Sequence, residues 1–183
     1  MQPGQGKIAV VTGASRGIGR AVAVGLAQQG MRVVLVARGA EQLQITKPMI
    51  DQAGGAAWVL PAELSQPVAV DTLKTQILAQ VGPPSILINA AGIFGPIQLI
   101  KDSDPAQWIE TLQTNTIAPY LTCRAFVGGM IDQGWGRIIN VSSAAALHTP
   151  GPTNSAYATS KVALNHFTRH LAAEIADTGV TAN

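Results

Sequence analysis

The sequence predicts an α/β domain in which a parallel sheet is covered by helices on both faces. Three observations predict it. Short β-rich runs alternate with helical patterns along the 183 residues, several of the runs, such as Ile86-Leu87-Ile88 and Ile138-Ile139, are apolar without interruption, and three glycines stand where the first run gives way to the first helix. Alternation implies crossover connections and so parallel strands, and an uninterrupted apolar strand belongs in a sheet buried on both sides. The chain has the length of one compact domain, and its 47% hydrophobic content supplies a sizeable core.

Five runs read as strands: Lys7 to Thr12, Arg32 to Ala37, Ala56 to Leu60, Ser85 to Asn89 and Gly136 to Ser142. Helices are expected to begin near Gly17, Glu41, Pro67 and Asp104, with a further one from about Ser155. Between the first strand and the first helix lies Thr12-Gly13-Ala14-Ser15-Arg16-Gly17-Ile18-Gly19. Glycine suits that place because the turn must be tight, the backbone must come close to a pyrophosphate, and free N–H groups at the helix start attract negative charge. It is not a nucleotide-triphosphate loop: Ile18 stands where the second glycine would be, with no lysine and serine or threonine after it. At the far end, Gly179-Val180-Thr181-Ala182-Asn183 starts like a sixth strand and then stops without a partner element. From this we expect the functional protein to be longer, and a chain ending here to leave Arg137 to Val141 as a poorly covered apolar edge, unstable or assembled, with little or no turnover.

Composition excludes several partners. Net charge is +2 with no run of basic residues, and aromatics make up only 4%, so neither a phosphate-tracking stripe nor a base-stacking platform is present and no nucleic acid is expected. No apolar stretch approaches the roughly 20 residues that span a bilayer, and Met1 to Lys7 lacks the features of a signal peptide; no membrane contact and a cytoplasmic location are the expectations. The single cysteine, Cys123, reads as a small core residue. His166, His170 and Glu174 recur at helical spacing but point away from the face discussed next, so they read as surface or interface residues and no metal site is expected.

Tyr157-Ala158-Thr159-Ser160-Lys161 puts a phenol and an amine four residues apart, on one face of a helix. Combined with the glycine loop, this pair indicates a cofactor-dependent redox enzyme. These residues, with Asn89-Ala90-Ala91-Gly92 after the fourth strand, Asn115, and Ser142-Ser143 at the end of the fifth, resemble the short-chain dehydrogenase/reductase family in its TGxxxGxG and YxxxK form. The resemblance covers essentially the whole chain, in the family's order and spacing. It implies a doubly wound parallel sheet, a Rossmann-type three-layer sandwich. The nicotinamide would lie over the carboxyl ends of the strands.

By that resemblance Tyr157 exchanges a proton with the substrate oxygen while hydride moves between nicotinamide and carbon. Lys161 beside it favours the phenolate and holds the nicotinamide ribose. Ser143 is the candidate donor to the developing oxyanion, with its neighbour Ser142 as rival; Ser143 precedes Tyr157 by one residue more than is usual in the family, which points to an insertion in the Ala144 to Ala156 loop. Asn115, a poor helix former inside a helical pattern, would bend that helix and hold a water leading to Lys161, or else be a satisfied buried amide. The cofactor-binding set implied is Gly13, Ser15, Arg16, Gly17, Ile18, Gly19, Arg38, Glu63, Leu64, Asn89, Ala90, Gly92, Tyr157 and Lys161. Ala90 replaces an asparagine frequent in the family, and Glu63 replaces an aspartate that contacts adenine.

An NAD-preferring site places a carboxylate at the end of the second strand. This chain has Ala37 there, followed by Arg38, and Arg16 lies in the loop, so two guanidinium groups could clamp a ribose 2′-phosphate with no carboxylate to repel it. NADP(H) is the cofactor expected, although Arg38 could instead cap the strand end and Arg16 face water. Ile93 to Ile97 and Ala144 to Pro152, with Phe94, Leu147 and His148, would line the substrate pocket and suit an apolar or mixed carbonyl or alcohol. A 3-oxoacyl thioester is one candidate, yet Met130 to Gly134 offers no basic docking patch for an acidic carrier. A homodimer or homotetramer is expected. The alternative reading is a non-catalytic nucleotide-binding module or an inactive truncated homologue, since the family's substrate loop and last strand fall beyond Asn183.

Overall fold

The structure, a computed structural model, describes residues 4–183. Six strands, β1 (Ile8–Thr12), β2 (Arg32–Val36), β3 (Ala56–Val59), β4 (Ile86–Asn89), β5 (Gly136–Asn140) and β6 (Val180–Ala182), form one sheet. Their order is β3-β2-β1-β4-β5-β6, and every neighbouring pair is parallel. The chain winds outward from β1 to β3, then returns to place β4 on the other side of β1. That reversal leaves a crevice above the carboxyl ends of β1 and β4, where ligands of open α/β sheets bind.

Helices α1 (Gly17–Gln28) and α2 (Ala40–Gln52) cover one face. Their Ala23, Ala27, Leu43 and Ile50 pack with Ala9, Val11 and Ile88. On the other face lie α3 (Pro67–Gln80), α4 (Pro105–Leu112) running on into α5 (Ala118–Asp132), and α6 (Ser155–Glu174). Here Leu73, Ile77, Phe126, Met130 and Leu171 pack with Val10, Leu87 and Ile138. Alternate residues of β1 thus serve two cores, so the strand is apolar throughout.

The structure departs from the sequence reading in three places. The helix expected from Asp104 is two helices, fused through a π-turn at Gln113–Ile117 that the 3.6-residue pattern does not reveal. Strand β5 is not an edge, because β6 pairs with it over Gly136–Ile138. And β5 is not covered on both faces: Ile138 is fully buried, but Ile139, beyond the reach of α1 and α2, is 44% exposed.

Candidate active site

The glycine loop is built by close approaches. A Cβ on Gly13, whose φ is +65°, would lie 2.7 Å from the amide nitrogen of Ala91, and one on Gly19 would lie 2.3 Å from the Gly13 carbonyl oxygen. Neither position admits a side chain. Thr12, at the end of β1, accepts hydrogen bonds at Oγ1 from the amides of Ala90 and Ala91 at 3.1 and 3.2 Å, so the loop after β4 is fastened to the loop after β1. From the other side, Thr46 of α2 donates to the Ala14 carbonyl at 2.9 Å, and Arg20 donates to Thr46 and to the Ser15 carbonyl. Helix α1 then starts with no side-chain cap and no acidic residue in its first turn. Its first N–H groups lack partners within the helix and suit an anion. At Gly17 a Cβ would meet nothing within 4 Å, which leaves room for a diphosphate to come close to the backbone.

These elements wall a cleft of about 510 Å³, within the range of small-molecule sites. The whole loop from Ser15 to Gly19 lines it, as do Gly13, Arg38, Glu63, Leu64, Ala90 and Gly92, the positions expected from the sequence. Ile93, expected as a wall of the substrate pocket, lines it too, and so do Gln42, Thr114 and Ala118, which no local motif marks.

Asn89 does not line the cleft. It is 2% exposed, donating to Asn140 Oδ1 at 2.8 Å and accepting from Thr122 at 2.8 Å, while Asn140 donates in turn to Thr168. Its amide is spent joining β4, β5, α5 and α6. Cys123 lies beside this network, 1% exposed, and burial pushes its thiol up to about 12.

The surroundings of Arg38 also differ from the expectation of a guanidinium free of carboxylates. Glu110 of α4 lies 3.5 Å and Glu63 3.9 Å from Arg38 Nη1. Glu110 is distant in sequence and is brought beside Arg38 only by the fold, on α4. Glu63 also accepts from the amide and hydroxyl of Ser65, which holds its carboxylate toward the loop after β3.

Asn115, Tyr157 and Lys161 are not among the residues that line the cleft; Asn115 and Lys161 lie behind its Gly92 wall, with the Tyr157 ring beside Lys161. A Cβ on Gly92 would be 3.2 Å from Asn115 Oδ1 and 3.8 Å from Lys161 Nζ. Lys161 is 5% exposed; its ammonium donates to the Val141 carbonyl at 2.8 Å, and burial lowers its pKa. Its Nζ lies 5.7 Å from the centre of the Tyr157 ring. Asn115 sits in the π-turn, fully buried, and is satisfied by the main chain of Ile93, accepting from its N–H and donating to its carbonyl at 2.9 Å each. A third bond goes to Ser160 Oγ at 3.0 Å.

Of the two serines, Ser143 begins a short 3₁₀ turn, and its Oγ accepts from the Ala145 amide at 3.2 Å, which leaves the hydroxyl proton free to donate. The Ser142 hydroxyl is enclosed and unpaired. His166 and His170 lie side by side on exposed positions of α6, Nε2 to Nε2 at 3.2 Å. Among the described residues no helix is long and apolar enough to cross a membrane.

The short chain dehydrogenase family model matches residues 7–183. The 3-oxoacyl-acyl-carrier-protein reductase of Pseudomonas aeruginosa is 38% identical over 182 residues, 98% of this chain and 72% of that protein. A short chain dehydrogenase of Pseudocercospora fijiensis is 40% identical over 178 residues, covering 96% of this chain and 57% of its own length. This chain therefore spans less than three quarters of these curated relatives. Among solved structures, a metagenomic short-chain oxidoreductase in complex with NADP is 40% identical, with a TM-score of 0.91 over 96% of this chain and 79% of that one. An NAD⁺-bound xylitol dehydrogenase is 28% identical, with a TM-score of 0.95 over 99% and 69%. The fold, the glycine loop, the Tyr157 and Lys161 pair and these matches together make the chain a member of the short-chain dehydrogenase/reductase family.

Proposed function

We propose that this chain carries the cofactor and proton-transfer sites of an NADP(H)-dependent reductase or dehydrogenase acting on a carbonyl or secondary alcohol. The observation that carries the reading is the buried Lys161 ammonium beside Tyr157, set against the Gly92 wall of a cleft that starts at the glycine loop. A lysine is almost never buried without a task or a partner, and a strongly desolvated group in a cleft is a functional candidate. The cofactor fits on two counts: the open space at Gly17, and the uncapped start of α1.

The bound nicotinamide would supply or accept the hydride. The residues of this chain do the rest. Ser15, Gly17, Ile18 and Gly19 hold the diphosphate with backbone N–H groups, and Arg16 and Arg38 receive the 2′-phosphate. Leu64 packs on the adenosine side, and Glu63 contributes through the loop it braces. Tyr157 passes its phenolic proton to the substrate oxygen or takes it back, and Ser143 donates to that oxygen as charge develops. Lys161 holds the ribose and keeps a positive charge near the phenol. Asn115 fixes the loop of Ile93 against α6. A soluble homodimer or homotetramer in the cytoplasm is part of the proposal, as is the absence of a resident metal.

The test is fluorescence titration with NADPH and NADH, together with NADPH oxidation against ketones, 3-oxoacyl thioesters and quinones. Tighter NADPH binding with turnover of one substrate class supports the reading. Binding without turnover by the full-length protein reduces it to a nucleotide-binding module, and equal affinity for the two cofactors removes the guanidinium clamp.

A further inference from the structure

Phe94 is a large apolar residue left 52% exposed in the loop after β4. Its ring nevertheless has a defined partner: it is stacked on the Tyr157 ring, centroids 4.5 Å apart and planes 15° from parallel. The backbone on either side is held. Ile93 has both its N–H and its carbonyl taken by the Asn115 side chain. Gly95, at φ +71°, is pressed so close to α4 that a Cβ would lie 2.2 Å from Thr111 Oγ1, and Thr111 is itself fully buried. A chain fixed at both neighbours leaves the Phe94 side chain little choice of direction.

The same contacts close into a circuit. Asn115 also donates to Ser160 Oγ, Ser160 donates to the Tyr157 carbonyl at 2.7 Å, and the Tyr157 ring meets Phe94, which follows Ile93. Tyr157 is therefore held twice from one asparagine, through its backbone by Ser160 and through its ring by Phe94.

A tyrosine ring turns about its terminal torsion in a broad well, so the helix alone does not fix the direction of the phenolic O–H. An offset stack does restrict the ring plane. We infer that Phe94 is a positioning residue, which sets the plane of the Tyr157 ring and with it the in-plane direction of the phenolic O–H bond toward the reacting oxygen, the phenolic oxygen itself lying on the torsion axis. The inference rests on the assignment of Tyr157 as the proton-transfer group.

Two measurements test it, one of which needs no turnover. In near-ultraviolet circular dichroism, Phe94→Ala and Tyr157→Phe should each remove the same band, and the double variant should remove no more. The chain has only two tyrosines, which makes the Tyr157 contribution assignable by difference. Additive losses would overturn the stack. In kinetics, Phe94→Ala and Phe94→Leu should lower kcat by between about tenfold and a hundredfold, the range expected of a misplaced reacting group, with NADPH Kd and substrate KM little changed. Phe94→Trp, planar and able to stack, should recover most of the loss. A Leu variant as active as the parent would show that bulk alone matters, and a rise in KM without loss of kcat would make Phe94 a substrate wall; either result overturns the positioning role. If Tyr157→Phe itself retains full turnover, the assignment of Tyr157 fails instead, a distinct outcome.

Discussion

The Arg38 end of the cleft and the Lys161 end, behind its Gly92 wall, are held by different kinds of interaction. At the Lys161 end the polar groups are enclosed: Asn115 is fully buried with three hydrogen bonds of 2.9 to 3.0 Å, and Lys161 is 5% exposed. At the Arg38 end they are in water, with side-chain exposures of 61% for Arg38, 46% for Glu63 and 50% for Glu110 and separations of 3.5 and 3.9 Å. Enclosed groups have no alternative partners, so their geometry is set before a ligand arrives. Exposed ion pairs contribute at most about 1 kcal/mol and rearrange easily. Under the proposed function, proton-transfer geometry falls to the rigid end and cofactor discrimination to the adjustable one.

The largest effect should come from the rigid end. Tyr157→Phe keeps the ring and its stack but removes the proton, and kcat should fall by about 10²- to 10⁴-fold with NADPH affinity nearly unchanged. Steady-state kinetics beside a cofactor titration would show the split, and parallel losses in both would break the contrast between the two ends.

Next in size is Asn115→Leu. It takes the side-chain partner from the N–H and carbonyl of the half-buried Ile93, at up to about 1–3 kcal/mol for each group that water does not reach, and urea unfolding should register the loss of stability. The corresponding change at the exposed end, Glu110→Ala, should move the unfolding midpoint hardly at all. Equal destabilisation by the two variants would refute the comparison.

Arg38→Leu should weaken NADPH binding by about tenfold and leave NADH unchanged, because one charged hydrogen bond to a phosphate is lost. Glu110→Gln removes a competitor for the same guanidinium and should tighten NADPH by up to about fivefold, an effect that fades as salt rises. Weaker NADPH binding by the Gln variant would mean that Glu110 orients Arg38 for the phosphate.

The smallest effect concerns Lys161 and pH. Burial depresses its pKa, so between that lowered value and the ordinary lysine value the unfolded chain holds a proton that the folded one has released. Stability attributable to this group therefore rises with pH across that window and is least below it, where the folded protein must bury the charge. Urea midpoints of the wild type relative to Lys161→Met should climb on the alkaline side; a flat difference would argue against a desolvated ammonium.

What could be read from the sequence was whatever the chain encodes locally. Strand limits agree to within one or two residues, the glycine loop is contiguous, and the Tyr157 and Lys161 spacing is a property of one helix. Asn115 was noticed because asparagine is out of place in a helix, and it does occupy the π-turn. The pairing of Arg38 with Glu110 spans 72 residues, and the stack of Phe94 on Tyr157 joins a loop to a helix; neither has a local signature. Asn89 was expected both to stabilise the central strand and to help seat the cofactor; its bonds to Asn140 and Thr122 serve the first role, and the direction of its side chain depends on which face of β4 meets α5. The exposure of Ile139 fits the expectation of a poorly covered fifth strand but not that of a strand buried on both sides, because its neighbours in sequence show that the strand is apolar, not how far each helix layer extends.

The Asn89 to Asn140 bond also has a consequence for assembly of the sheet. The two asparagines stand opposite each other in the register of β4 and β5, and they come from positions 51 residues apart. Sliding β5 by one position would bring Ile139 or Val141 to that place, leaving the Asn89 amide against hydrocarbon and turning each side chain of the strand to the wrong layer. Apolar strands alone discriminate poorly among such slips, because valine and isoleucine pack tolerably in either setting. The matched amides therefore act as a register key, which makes a misaligned pairing of these two strands costlier than their apolar neighbours alone would.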